Sequence, residues 1–295
     1  MLGKLATLVR LLAFVVAFVA VLLVLLLLSP VTVLNKPLRR RGWRLHELPG
    51  SVAFCWGARF LLWFGGVSRH VVADKSSLEA CNSGSVIFLY NHTSNLDPII
   101  VQATCLNAPK FVYKKSLGYF PLFGWVLQLY HHIGIDRSNR EKAIHSLDTA
   151  VAKMRHKGQS IAVAPEGTRS KTGALQPFKK GPFHMAVQSK TKAPTERCLI
   201  VPVLIAGAYE LCPPGAKMFA AGGVDVVIRP PIEVGEGETA DALLKRVEAE
   251  FAREVPALHA SWGKKRRTAS VWQRWRGPFL ALAAVVGLAR PDKLA

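Results

Sequence analysis

A chain of 295 residues has room for one full catalytic domain with segments to spare at its ends. Half of it is hydrophobic and its mean hydropathy of +0.22 is high for a wholly soluble protein, while 39 Lys and Arg against 19 Asp and Glu give a net charge of +20 that calls for an anionic partner. No helix-turn-helix, zinc-finger or RNP-type signature accompanies that charge, so nucleic acid is not the expected partner, and attraction to anionic membrane lipid, worth about 1 kcal/mol per basic residue near the surface, accounts for it better.

From Leu11 to Leu28 no residue is charged or strongly polar. That is close to the roughly 20 residues a spanning helix needs. A cleaved signal peptide is the competing reading, but its apolar core is usually about 7–15 residues and a small-residue cleavage site follows it. Here Ser29-Pro30-Val31-Thr32 follows, and a membrane anchor is the reading adopted. Lys4 and Arg10 precede the run, whereas Lys36, Arg39, Arg40, Arg41 and Arg44 follow it. The positive-inside tendency puts the downstream side in the cytoplasm. The five cysteines (Cys55, Cys81, Cys105, Cys198 and Cys212) are odd in number and contain no CxxC pair. Neither a disulfide framework nor a zinc site is expected, in keeping with a reducing compartment.

After a basic connector over 31–50, Val52 to Val67 is apolar again, with Trp56, Trp63 and a single charge, Arg59. An interfacial or re-entrant helix with a snorkelling Arg fits this run, and so does a core helix of the domain that follows. Composition then divides the chain into an anchoring helical region, 1–74, a central domain, 75–258, and a basic, aromatic tail, 259–295.

Within the central domain, β-rich apolar runs at 85–90, 110–113, 132–136, 160–165, 199–206 and 224–229 alternate with helical patterns. The alternation predicts an α/β fold, with a mixed, largely parallel central sheet flanked by helices behind the membrane-anchoring region. The first of these strands ends at Asn91-His92-Thr93-Ser94-Asn95-Leu96-Asp97-Pro98. On a continuous helix His92 and Asp97 would stand roughly 140° apart and share no face. A strand-to-helix turn folds the intervening residues back, and Asp97-Pro98 suits a helix start, Asp as N-cap and Pro as the first helical residue. Such a pair supports general base catalysis: neutral His92 takes a proton from a hydroxyl while Asp97 fixes its tautomer and stabilises the imidazolium. On spacing alone, Asp97 as a plain cap beside a strand-end His92 stays open.

Further along, Lys114 and Lys115 open an aromatic, Gly/Pro-rich stretch, Ser116 to Trp125. Gly134-Ile135-Asp136-Arg137 delivers Arg137 to a strand end, and Arg is the residue shaped to grip a phosphate bidentately. A helix is expected from Asn139 to His156, with Ile144, Leu147, Val151 and Met154 on one face. The strand Ile161–Ala164 stops at Pro165, and Glu166-Gly167-Thr168-Arg169 turns after it. Gly167 allows close backbone approach, Thr168 donates hydrogen bonds and Arg169 supplies charge. In Ile200-Val201-Pro202-Val203 the proline lacks a ladder donor, which predicts an edge strand or a bulge. A helix follows at 240–253, with Leu243, Leu244, Val247 and Phe251 aligned. In the tail, Lys264 to Arg267, Trp272 and Trp275 precede the apolar run 279–289, a composition suited to a membrane surface.

Together the four polar blocks resemble the glycerophospholipid acyltransferase family, PlsC type: Asn91–Asp97 as NHxxxxD, Gly134–Arg137, Pro165–Ser170 and Ile200–Val203, in matching order over about residues 75–230. Ala164 stands where the family carries Phe, and His132-Ile133-Gly134 leads to Arg137. The resemblance implies transfer of an acyl group from a thioester, acyl-CoA or acyl-carrier protein, to the sn-2 hydroxyl of lysophosphatidic acid. It implies His92 as base with Asp97 orienting it, and Arg137, Glu166, Gly167 and Arg169 at the glycerol-phosphate site. Lys115 and Thr168 are further candidates for substrate binding. No metal or cofactor is called for beyond the acyl donor. The implied location is a membrane with the site on its cytosolic face: endoplasmic reticulum if eukaryotic, inner membrane if bacterial. An acyltransferase for another lysolipid headgroup and a non-enzymatic basic membrane- or nucleic-acid-binding protein are the rival readings.

Overall fold

A computed structural model describes residues 2–34, 38, 49–82, 86–105, 108–136, 146, 149–152, 159–193, 197–216 and 219–268. Arg137, most of the helix expected at 139–156 and the tail beyond 268 lie outside these residues. The apolar N-terminal run forms α1 (Leu2–Leu28), and Leu11–Val31 is long and apolar enough to cross a membrane. One side of α1 is covered. Phe14 meets Phe219 edge-on at 4.6 Å, Phe18 lies 6.0 Å from Phe123, and Leu22 and Leu25 pack with Val126 and Tyr130. Leu12, Val16, Val24 and Leu27 face outward.

The second apolar run is α2 (Pro49–Phe64), which is amphipathic. Cys55, Ala58, Leu61 and Leu62 are buried, while Trp56, Phe60 and Trp63 are exposed. Arg59 does not snorkel outward as the interfacial of the two readings had it. Its Nε donates to the Ala103 carbonyl at 3.0 Å, at the end of α4 (Asp97–Thr104), and its guanidinium covers the Trp56 ring. The last carbonyls of a helix lack intrahelical donors, and Arg59 supplies one.

The strands are β1 (Val67–Ala73), β2 (Val86–Tyr90), β3 (Lys110–Lys114), β4 (Ile133–Ile135), β5 (Ile161–Val163), β6 (Leu199–Ala206), β7 (Gly222–Ile228) and β8 (Ile232–Glu233), with α3 (Lys75–Asn82) between β1 and β2 and α7 (Ala208–Leu211) after β6. They order as β1-β7-β6-β2-β5-β3-β4, with β8 beside β6. The contacts β6–β2, β2–β5, β5–β3, β3–β4 and β1–β7 are parallel, whereas β6 meets β7 and β8 antiparallel. The sheet is thus mixed and largely parallel, as expected. β1 was not foreseen: it falls in the 1–74 span, and its Ser68, Arg69 and His70 break the apolar run because it is an edge strand with His70, Val71 and Val72 exposed.

Successive strand side chains point to opposite faces. Phe88, Tyr90, Val201 and Val203 therefore enter one core with Ile100 and Val101 of α4 and with Ala58 and Leu62 of α2. Ile87, Leu89, Ile200 and Leu204 enter the other, against Phe183 and Met185 of α6 (Gly181–Lys192) and Leu243, Val247 and Phe251 of α8 (Ala240–Thr268). Burial on both faces is why β2 and β6 read as unbroken apolar runs.

Pro202 sits in an interior strand, so the edge expectation fails, but the bulge expectation holds. Val203 faces Ile228 and Ile200 faces Ile232, leaving two residues of β6 opposite three of the β7–β8 segment. The Arg229 amide donates to Pro202 O at 2.9 Å, and the proline's missing donor falls where the ladder already slips.

The helix expected to end at Arg253 continues to Thr268 through Pro256, because Val255, Leu258 and Trp262 extend its apolar stripe. Trp262 Nε1 donates to Gly223 O at 3.0 Å, and its ring lies against Gly207, whose φ is +93°. A Cβ there would stand 2.6 Å from the indole. Gly207→Ala is accordingly expected to lower unfolding free energy by about 2–4 kcal/mol, from left-handed strain and overpacking together. Denaturant titration in detergent reads this directly, and an unshifted midpoint would contradict the packing described.

Candidate active site

Parallel neighbours β2, β5 and β3 end at the same edge of the sheet, so the residues that leave them emerge side by side. The His92 turn follows β2, the Glu166–Arg169 turn follows β5, and Lys114 closes β3 with Lys115 opening the turn after it. Ligand sites in α/β sheets gather at this edge.

Residues 91–96 are irregular and α4 begins at Asp97, with Pro98 next. Asp97 is not the N-cap that was expected: Leu96 holds that position and makes no side-chain cap bond. The carboxylate turns back instead. Its Oδ2 lies 2.9 Å from His92 Nδ1 and accepts the Thr93 and Ser94 amides, both at 2.7 Å. Asp97 is fully buried, while the His92 side chain keeps 17% of its surface exposed. With Nδ1 bound to a carboxylate, the imidazole carries its proton there and presents the Nε2 lone pair outward. The Tyr90 ring meets the imidazole edge-on at 5.7 Å and limits its rotation.

The backbone of His92 is held from both sides by the neighbouring turn. Its amide donates to Glu166 Oε1 at 2.7 Å, and its carbonyl accepts the Ser170 amide at 2.8 Å. Glu166 Oε2 accepts the Gln176 amide at 2.9 Å. Burial pushes the Glu166 carboxyl up to about 7, against the lowering influence of those two amides. Glu166 therefore faces the protein on both oxygens, where the resemblance implied an acceptor ligand.

Gly167 turns at φ +73°, packed beside the Lys179 side chain. Thr168 is exposed, Arg169 is half-buried near Cys212, and Lys115 is exposed on the turn after β3. His92, Asp97, Glu166, Gly167, Thr168 and Arg169 thus meet around two adjoining turns.

Residues singled out only as parts of motifs prove to hold the turn. Asn91 pairs with Ile205 through both ends of its amide: Nδ2 donates to the carbonyl at 2.9 Å and Oδ1 accepts the amide at 2.8 Å. Ser94 Oγ donates to Cys212 O at 2.8 Å. An Asn and a Ser flanking a strand-end His were the available signal, but their partners are more than a hundred residues away.

The arrangement can lower the barrier for removing a proton from a bound hydroxyl. Comparisons with known proteins find relatives over most of the chain. A family model described as Acyltransferase matches residues 69–206. A 1-acyl-sn-glycerol-3-phosphate acyltransferase of Limnanthes douglasii is 29% identical over 255 residues, covering 86% of this chain and 85% of that protein. One from Salmonella typhimurium is 31% identical over 200 residues, covering 64% of this chain and 78% of that protein. In fold, the chain resembles the crystal structure of the 1-acyl-sn-glycerophosphate (LPA) acyltransferase, PlsC, from Thermotoga maritima, with a TM-score of 0.62 at 22% identity over 87% of this chain and 98% of that one.

Proposed function

The chain belongs to the acyltransferase family, and from that premise we propose that it moves an acyl group from a thioester, acyl-CoA or acyl-carrier protein, to the free sn-2 hydroxyl of 1-acylglycerol 3-phosphate. Family membership sets aside the reading of a non-enzymatic basic protein. The observation that carries the proposal is the buried Asp97 carboxylate 2.9 Å from Nδ1 of a solvent-reachable imidazole.

In this mechanism His92 Nε2 takes the hydroxyl proton as the oxygen attacks the thioester carbonyl. The tetrahedral intermediate collapses, the C–S bond breaks, and the proton on Nε2 is available to the departing sulfur. A thiol of pKa about 8–9 is a good leaving group, so removing the hydroxyl proton is the demanding step and no Ser or Cys nucleophile is needed. The lowered barrier from a positioned base is worth about 10²–10⁴-fold; orientation and fixed dipoles supply the rest. Both substrates carry acyl chains, and a buried CH₂ is worth about 0.8 kcal/mol, so complete extraction of a chain from the bilayer is costly. An active site tethered by α1 at the cytosolic face of a membrane meets the lipid where it lies.

The acceptor phosphate is assigned to Arg169, with Arg137, Lys115 and Thr168 as further contributors. Arg169→Ala is expected to raise the KM for lysophosphatidate roughly 10–100-fold, the worth of a charge-assisted hydrogen bond, with kcat nearly unchanged. Steady-state kinetics of the reconstituted chain against lysophosphatidate and lysophosphatidylcholine, with a labelled acyl-CoA, tests both statements. Equal turnover of the two acceptors would sink the headgroup assignment.

A further inference from the structure

The turn after β3 carries apolar surface that the reaction does not use. Lys115–Tyr119 forms a 3-10 turn and α5 (Phe123–Leu129) follows it. Leu127 is buried, and Phe123, Val126 and Tyr130 face inward, where Phe18, Leu22 and Leu25 of α1 pack against them. Leu117, Tyr119, Phe120, Trp125 and Leu129 face outward, with Tyr119 74% and Phe120 59% exposed.

The segment is built to hold that posture. Leu122 has φ +62° and ψ −61°, and the Phe123 amide donates to Pro121 O at 2.7 Å, a γ-turn of the strained, positive-φ kind. A Cβ on Gly124 would run into the Gly118 backbone, and Gln128 Nε2 donates to Gly118 O at 2.8 Å. Exposed aromatics on a mobile loop would collapse onto the protein; these are fixed away from it.

Three observations name the occupant. The segment that carries the patch is docked on the apolar helix α1, since Tyr130 Oη donates to Leu25 O at 3.0 Å and Phe18 lies 6.0 Å from Phe123. Exposed Lys114 and Lys115 border it. Tyr and Trp beside cations form the composition of a bilayer interface, with rings at the acyl boundary and ammonium groups at the phosphates.

We propose that Leu117–Leu129 is a further membrane contact, separate from the N-terminal helix, in which Tyr119, Phe120 and Trp125 enter an anionic leaflet and draw the His92 edge of the sheet down to it. The proposal rests on the lipid-acyltransferase reading, which supplies the reason for drawing that edge to the bilayer. β3 ends beside β5 at the catalytic edge, so this contact sets the height of the site above the lipid as well as holding the protein there.

The test uses the full chain in phosphatidylcholine–phosphatidylglycerol vesicles, with a fluorophore on Phe120→Cys, a second on Glu236→Cys in the loop after β8, and the unsubstituted chain as labelling control. Acyl-chain-brominated lipid is expected to quench the first probe and leave the second unchanged. Tyr119→Ser/Phe120→Ser/Trp125→Ser is expected to raise the KM for vesicle-borne lysophosphatidate about tenfold while leaving turnover of a short-chain acceptor in detergent unchanged. An unquenched Phe120→Cys probe on active protein overturns the contact and spares the enzyme reading. Quenching by a chain that acylates no lysolipid overturns the enzyme reading and spares the contact. Concentration-dependent dimerisation that shields the probe from lipid also overturns the contact.

Discussion

His92→Ala is expected to lower kcat by about 10²–10⁴-fold while the protein keeps its fold. The imidazole is partly exposed and forms one side-chain bond, to Asp97, whereas the turn itself is held by backbone contacts to Glu166 and Ser170. Removing the ring therefore removes the base and little of the structure. Asp97→Asn is a different experiment. An amide oxygen can still accept the Thr93 and Ser94 amides, but it brings no charge to stabilise the imidazolium, so a loss of about 10²-fold or more is expected. The two should not add. If Asp97 acts only through His92, Asp97→Asn placed on His92→Ala costs nothing further in kcat. A full additional loss would mean that the carboxylate meets substrate by itself, and folded His92→Ala with unimpaired turnover would remove the mechanism altogether.

Much of the fold was legible because burial on both faces leaves a plain signature. β2 and β6 appear as unbroken apolar runs, and Leu243, Val247 and Phe251 as a helical stripe. β1 escaped notice because an edge strand carries polar side chains, and its parallel partner lies some 150 residues downstream. Pro202 was half legible: the missing donor was certain, but the slip that accommodates it depends on where β7 hands over to β8. Whether Arg59 snorkels or sits on a core helix stayed open because its partner, a carbonyl at the end of α4, is a tertiary contact. In the site, residue types and spacing pointed to the His92–Asp97 pair, since the turn that joins them is local. The clamp on His92 was not legible at all. It runs from a side chain to a backbone amide 74 positions away, and backbone donors look the same in every sequence.

That clamp makes Glu166→Gln the second large effect. Glutamine offers one acceptor oxygen where glutamate offers two, so either the His92 or the Gln176 amide would face an NH₂ group. A buried donor left without a partner costs about 1–3 kcal/mol, and a shift of the His92 backbone on the order of 1 Å costs about 10²-fold in rate. The expected result is kcat reduced about 10²-fold with the lysophosphatidate KM within about twofold of the parent, the reverse of the Arg169→Ala split. Titration separates this role from acceptor binding once more. Burial lifts the carboxyl from 4.5 to about 7, so between those values the folded chain keeps a proton that the unfolded chain releases. Its contribution to stability is complete below about 4.5 and is lost as pH rises through about 7, a swing on the order of 3 kcal/mol. Turnover runs the opposite way, because the ionised carboxylate is the form that accepts both amides. Unfolding free energies of parent and Glu166→Gln in detergent should therefore diverge in the parent's favour as pH falls through this window, while their rates converge. A pH-independent stability difference, joined to a raised acceptor KM at unchanged kcat, would return Glu166 to the substrate.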